Sequence, residues 1–279
     1  MPLPRELTAS RRELEEFSRS LAHGTYYGDN RVLCRVLGSF PILVNTRDRI
    51  LGPRLVLDGY WEAWVTLAIA RQVQPGYCCV DVGAAYGYYT LLMAWASGPE
   101  GRVLACECND ELCATLINNL KMNFPPGAAS CEVTVCDQAV SDVPDQELRL
   151  HYSHFNLGGS SILPGSSADY RQIVRTTTLD KLCAHWDQLD LVKIDVEGAE
   201  LQVWDGMSAC LRKFPDLVIV MELHAHLHPP GKIQGFLKQI QQQGYTVRRI
   251  NYAGDLEPVI AEDLISHRQE HWMLWISRA

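Results

Sequence analysis

From Tyr77 onward the chain alternates short apolar runs with amphipathic stretches, and this constrains the fold more than any other feature. Cys78–Val82, Arg102–Cys106, Cys131–Cys136, Leu189–Ile194 and Leu217–Leu223 read as buried strands. Between the first four lie helical stretches, Tyr88–Ala96 and Asp110–Met122; Ala199–Leu211 follows the fourth strand. Leu112, Leu116 and Leu120 share one helical face, and Ala199, Val203 and Cys210 another. After the fifth strand, Ile233, Phe236, Leu237 and Ile240 form an apolar helical stripe opened by Pro229-Pro230 and closed by Gly244. Strand alternating with helix predicts an α/β fold whose parallel sheet is covered on both faces. Tyr245–Ile250 and Trp272–Ile276 lack such a crossover and predict an antiparallel pair finishing the sheet.

The break near Gln74-Pro75-Gly76 divides the chain into an N-terminal extension, residues 1–74, and a ligand-binding domain, residues 75–279. In the extension, Ser10 and Glu13 have capping-box spacing ahead of a helix carrying Leu14, Phe17 and Leu21. Extended segments at Val32–Leu37 and Phe40–Val44 and a helix from about Trp61 to Arg71 follow. The extension is expected to wall an acceptor pocket or make a subunit contact, which leaves a homo-oligomer open. With 47% hydrophobic and 21% charged residues over 279, the composition is that of a globular protein. A net charge of −8 without a basic run argues against nucleic-acid and polybasic membrane partners, both of which need a cationic surface. Arg5, Glu6, Arg11, Arg12 and Glu13 stand where a signal sequence would have its apolar core, so a cytoplasmic protein is expected. The ten cysteines form no C-x-x-C pair, and most sit in apolar runs, where they read as small hydrophobes.

In open α/β sheets ligands bind beyond the carboxyl ends of the strands. The first strand runs into Gly83-Ala84-Ala85-Tyr86-Gly87, a turn that brings backbone N–H groups and a helix N-terminus against a ligand. Its G-x-x-x-G spacing is not the G-x-G-x-x-G of a dinucleotide site, and Asp81 favours an ammonium or sulfonium over a phosphate. Glu107 ends the second strand, where a carboxylate accepts the hydroxyls of a ribose. Asp137-Gln138, after the third strand, extends the groove and offers an adenine edge its partners. After the fourth strand, Lys193, Asp195, Glu197 and Glu200 crowd one junction. Helix-dipole acids account for part of this crowding, but less well for Lys193 and Asp195 on one face of an apolar strand. Beyond the fifth strand stands Glu222-Leu223-His224-Ala225-His226-Leu227-His228. If the strand persists, the histidines share the face of Glu222. Three readings stay open: His224 as general base, a metal site with Glu222 or Asp195, or structural histidines. The glycine-rich segment His154–Ser161 suits a loop over the site.

The strings Val80-Asp81-Val82-Gly83-Ala84, Gly87-Tyr88-Tyr89-Thr90, Ala139-Val140-Ser141-Asp142, Thr178-Leu179-Asp180 and Lys193-Ile194-Asp195-Val196-Glu197-Gly198-Ala199-Glu200 resemble the FkbM-type S-adenosylmethionine-dependent methyltransferases. The resemblance runs from about Gly59 to Glu222. It implies a Rossmann-like class I methyltransferase sheet, S-adenosyl-L-methionine as cofactor, and methyl transfer to a hydroxyl of a sugar or natural-product acceptor. Asp81, Gly83 and Glu107 match the family's cofactor positions and Asp195 the residue beside the methyl donor; Ala84, Tyr86, Asp137 and Gln138 are expected to join them as cofactor contacts. One departure is Ala85, where the family usually carries Asn. His224 is expected as the base, Asp195 to orient acceptor or base, and no metal is assigned. The rivals are a divalent-metal-assisted methyltransferase, a nicotinamide oxidoreductase, which the turn spacing disfavours, and a non-catalytic cofactor-binding module.

Overall fold

The computed structural model describes residues 3–125, 130–163, 170–267 and 271–278. The chain opens with α1 (Glu6–Ala9) and α2 (Arg11–Leu21). The Ser10 hydroxyl caps α2, accepting the Glu13 N–H at 3.2 Å and donating to the Glu13 carboxylate at 2.7 Å. An antiparallel sheet comes next, of β1 (Gly24–Gly28), β2 (Arg31–Val36) and β3 (Phe40–Asn45), then α3 (Leu51–Leu57) and α4 (Ala63–Gln72). The sequence pattern missed β1, because its residues lie almost wholly exposed and show no apolar alternation. The N-terminal segment shares its core with the larger domain: Leu7, Leu14, Leu55 and Ile69 pack in one cluster with Leu91 and Leu116. Buried Asn119 fastens the two parts. Its Oδ1 accepts the Leu43 N–H at 2.7 Å, and its Nδ2 donates to the carbonyls of Leu43 and Tyr86.

The alternation then runs as expected through β4 (Cys78–Val82), α5 (Tyr88–Ser97), β5 (Arg102–Cys106), α6 (Asp110–Asn123) and β6 (Glu132–Cys136). The polar excursion after β6 is a second small sheet rather than a loop. It consists of β7 (Ala139–Val140), β8 (Glu147–Ser153), β9 (Asn156–Ser161) and β10 (Tyr170–Thr177), in the order β7-β10-β8-β9. Its own apolar cluster is small, with Ala139, Leu150 and Val174 buried and Cys108, Leu148 and Ile162 packed against them, which leaves no clear period in the sequence. The glycine-rich segment is the β8–β9 hairpin. After α7 (Leu179–Leu182) come β11 (Leu191–Ile194), α8 (Glu200–Asp205), α9 (Ser208–Lys213), β12 (Val218–Leu223), α10 (Pro230–Gln242), β13 (Tyr245–Ile250), β14 (Leu256–Pro258), α11 (Ala261–Ser266) and β15 (Trp272–Arg278).

The large sheet has the order β14-β13-β15-β12-β11-β4-β5-β6. β4, β5, β6, β11 and β12 are parallel, and β15 lies antiparallel between β12 and β13. The chain winds outward from β4 to β6 and returns to β11 on the other side, so β4 and β11 flank the switch point where such sheets bind ligands. The expected single helix Ala199–Leu211 is broken at Gly206-Met207. A Cβ on Gly206 would overlap the Ser141 carbonyl, so helix and loop pack too closely there for any side chain. Asp180 restarts the helix, its carboxylate accepting the N–H groups of Ala209 at 2.9 Å and Cys210 at 2.8 Å. All ten cysteines are free thiols. No described helix is long and apolar enough to cross a membrane.

Candidate active site

A cavity of about 400 Å³ opens at the carboxyl ends of β4, β5 and β11. Gly83, Glu107, Gln138 and Asp195, all singled out in the sequence, line it. Gly83, at φ +81°, and Ala84 donate their N–H groups to the Cys106 carbonyl at 2.9 and 3.0 Å, which binds the turn to the end of β5. Ala85 stands at φ +47°, a left-handed conformation that Asn tolerates better than Ala. Its N–H donates to Glu107 Oε2 at 2.9 Å, while Asn109 N–H donates to Oε1 at 2.8 Å. Burial pushes the Glu107 carboxyl up to about 7, against the pull of these backbone donors.

Four residues expected at the cofactor take other positions. Asp81 is fully buried in β4 behind the turn, where it accepts the Thr90 hydroxyl at 2.6 Å and stands 3.8 Å from Lys193 Nζ. Ala84 is buried and contributes only its backbone to the turn. Tyr86 is also buried, and its hydroxyl donates to Asp48 Oδ2 at 3.1 Å, toward the N-terminal segment. Asp137 is exposed to solvent. None of these side chains lines the cavity.

The far end of the cavity is acidic. Asp195, just past β11, accepts from Lys193 Nζ at 3.1 Å. Burial alone would lower the Lys193 pKa, but Asp195 and Asp81 outweigh it and hold the ammonium above its usual range. Glu197, Glu222 and Glu62 complete the rim. Glu62 precedes α4 in a left-handed conformation, φ +38°, and accepts the Tyr89 hydroxyl at 2.9 Å. Burial and the charges of Glu222 and Asp195 push its carboxyl up to about 8. In the sequence a lone glutamate before a helix looks like an ordinary macrodipole acid, so nothing there marks Glu62 as a site residue.

His224 does not lie on an extended strand with His226 and His228. β12 ends at Leu223 and a short 3₁₀ turn, Ala225–Leu227, follows, which breaks the alternation. His224 is buried outside the cavity lining, and its Nδ1 lies 2.8 Å from Glu200 Oε1. Its Nε2 stands 3.3 Å from Glu197 Oε2 and 3.8 Å from Glu222 Oε1. Burial opposes its charge, yet Glu200, Glu222 and Glu197 together raise its pKa to about 10. The ring thus sits behind the carboxylates that line the cavity rather than among them.

The Methyltransferase FkbM domain model matches residues 81–247, which span the glycine turn, the acidic junction and β11. The chain belongs to the FkbM methyltransferase family. The chain is similar in structure to methyltransferase FkbM from Methylobacillus flagellatus, at 14% identity and TM-score 0.47, over 77% of this chain and 54% of that one. It thus spans about half the length of that protein. It is also similar to an S-adenosylmethionine-dependent O-methyltransferase from Thermotoga maritima, at 17% identity and TM-score 0.42, over 79% of this chain and 66% of that one. A third likeness is to TYW2 of Pyrococcus horikoshii in complex with MeSAdo, at 13% identity and TM-score 0.44, over 99% of this chain and 84% of that one. No curated protein matches the sequence.

The donor set of the cavity fits S-adenosylmethionine. A carboxylate offers about four lone-pair positions. Glu107 commits one on each oxygen to a backbone N–H, leaving each oxygen free to accept one hydroxyl of a vicinal diol. The carboxylates of Glu62, Asp195, Glu197 and Glu222 at the other end suit a ligand that carries positive charge.

Proposed function

We propose that this methyltransferase methylates a hydroxyl group of a sugar or natural-product acceptor. The observation that carries this reading is the division of the cavity. One end presents Glu107 and the backbone of the glycine turn, and the other presents the carboxylates of Asp195, Glu197 and Glu222. When bound, S-adenosylmethionine supplies an electrophilic methyl group on a sulfonium. Glu107 and Gln138 hold the nucleoside end, and Gly83 keeps the turn low enough for the ligand to reach Asp195.

Asp195 takes up the acceptor proton as the new carbon–oxygen bond forms. Lys193 fixes its carboxylate with a hydrogen bond at 3.1 Å. His224 stands behind Glu197 and Glu222 rather than acting as the base. The walls Ile50, Leu51 and Trp61 from residues 1–74, with Leu157 and Ile162 of the small sheet, exclude water and seat the acceptor. Holding two reactants in near-attack geometry is worth up to roughly 7–11 kcal/mol in favourable cases. The test is a panel of hydroxylated acceptors incubated with methyl-labelled S-adenosylmethionine, with the label located by mass spectrometry. Label on an acceptor oxygen supports the reading, and label found only on nitrogen or carbon refutes it.

A further inference from the structure

Three potential ligand atoms converge where β12 and β15 meet at the acidic end of the cavity. They belong to Glu222, the penultimate residue of β12, His224 just beyond it, and His271 immediately before β15. We propose that Glu222, His224 and His271 bind one divalent transition-metal ion beside Asp195. The site deepens the hydroxyl-methylation reading and rests on it only for its catalytic use, not for its existence.

The geometry supports this in two independent ways. Donors bound to one ion at about 2.1 Å stand roughly 3.0–3.4 Å apart when adjacent and about 4.2 Å apart when opposite. Here Glu222 Oε1 lies 2.8 Å from His271 Nδ1 and 3.8 Å from His224 Nε2, and all three atoms fall within 4.8 Å of one another, so side-chain shifts of about 1 Å or less bring them to those spacings. Second, the outer shell is in place. Glu200, wholly buried, lies 2.8 Å from His224 Nδ1 and accepts the Gly198 N–H at 2.7 Å. A carboxylate on one imidazole nitrogen fixes the tautomer and aims the other nitrogen at a metal. A helix acid needed only for the macrodipole would face solvent, whereas Glu200 lies beneath the histidine. Two imidazoles with one carboxylate select manganese, iron, cobalt or zinc over magnesium or calcium, which prefer oxygen ligands.

Glu222 and His271 both line the cavity next to Asp195, so a metal there stands within the site. It offers an open position to the acceptor hydroxyl and lowers that group's pKa. The proton released passes to Asp195, the methyl carbon bonds to the acceptor oxygen, and the carbon–sulfur bond to the donor breaks.

The experiment uses the full chain, stripped with a chelator and dialysed, and titrated with ZnCl2 by calorimetry and with MnCl2 by electron paramagnetic resonance. The expected result is one ion per chain. Affinity should fall at least tenfold in His271→Ala and Glu222→Gln, fall about 10–100-fold in Glu200→Gln, and stay unchanged in the surface control His185→Ala. The His271 side chain is 69% exposed, so its removal leaves folding intact and keeps the test decisive if Glu200→Gln does not fold. Absence of binding, or equal binding by His271→Ala, overturns the site. Full methylation by the stripped chain in excess chelator overturns its catalytic use. Metal binding without oxygen methylation retains the site and refutes the acceptor assignment instead.

Discussion

Replacing Gly83 by Ala tests the link between the glycine turn and Asp195. Gly83 sits at φ +81°, where an L-residue pays about 1–2 kcal/mol. A Cβ there would overlap the Asp195 carbonyl oxygen and stand 2.9 Å from its carbon. Carbon atoms pack at about 3.5–4.0 Å, so the Asp195 carbonyl must withdraw by at least about 0.6 Å. The bond from Asp195 N–H to the Val82 carbonyl, at 3.0 Å, and the two bonds from the turn to the Cys106 carbonyl resist that movement. Overpacking of this kind costs about 1–3 kcal/mol, for a total of roughly 2–5 kcal/mol. Gly244→Ala is the control, since Gly244 has the same φ of +81° with nothing within 4 Å of the added atom. Urea denaturation of both variants isolates the overlap as the difference between them, and calorimetry with S-adenosylmethionine reads its effect on the site. Gly83→Ala should be the less stable by about 1–3 kcal/mol and should bind the cofactor at least tenfold more weakly. Equal stability of the two variants, or wild-type cofactor affinity in Gly83→Ala, would show that the approach of turn and strand end does not shape the site.

Other expectations rest on the same contacts. Glu107→Ala loses hydrogen bonds to a charged acceptor, worth about 1.5–3 kcal/mol, so cofactor affinity measured by calorimetry should fall roughly 10–100-fold. Because burial raises Glu107 to about 7, wild-type affinity should weaken as pH drops from 8 to 6 and the carboxylate gains a proton, whereas Glu107→Gln should show a flat profile. Asp195→Asn should lower turnover by about 10²–10⁴ in a single-turnover assay, and an unchanged rate excludes it as the proton acceptor. Ala85→Gly relieves a left-handed alanine and should raise stability by about 0.5–1 kcal/mol in urea after the entropy of the freer unfolded chain is counted. Asn119→Ala leaves the N–H and carbonyl of Leu43 and the carbonyl of Tyr86 unpaired in the interior, and should cost at least about 3 kcal/mol by thermal or urea melts.

The sheet was legible in the sequence because its strands and helices carry strong periodic signals. Leu112, Leu116 and Leu120, or Ile233 through Ile240, face one way whatever the rest of the chain does. The positions of Gly83, Glu107 and Asp195 at strand ends were legible for the same reason: the ends of parallel strands share one edge, and that edge is where ligands bind. Hydrogen-bonding and packing between distant segments carry no such period. Glu62 reaches the site only because the N-terminal segment packs against α5, and Tyr86 turns away because Asp48 waits behind it. His224 looked like a base on an extended strand. Burial beside Glu200, contributed by a helix two dozen residues earlier, ties its ring to that carboxylate and keeps it out of the cavity lining. His271 gave no sign at all, since its pairing with Glu222 depends on β15 inserting antiparallel beside β12. Local periodicity thus determined which segments became strands and helices and which residues stood at the functional edge. The charge, orientation and partners of those residues were decided by tertiary packing, because electrostatic and hydrogen-bonding environments come from neighbours that the chain order does not place side by side.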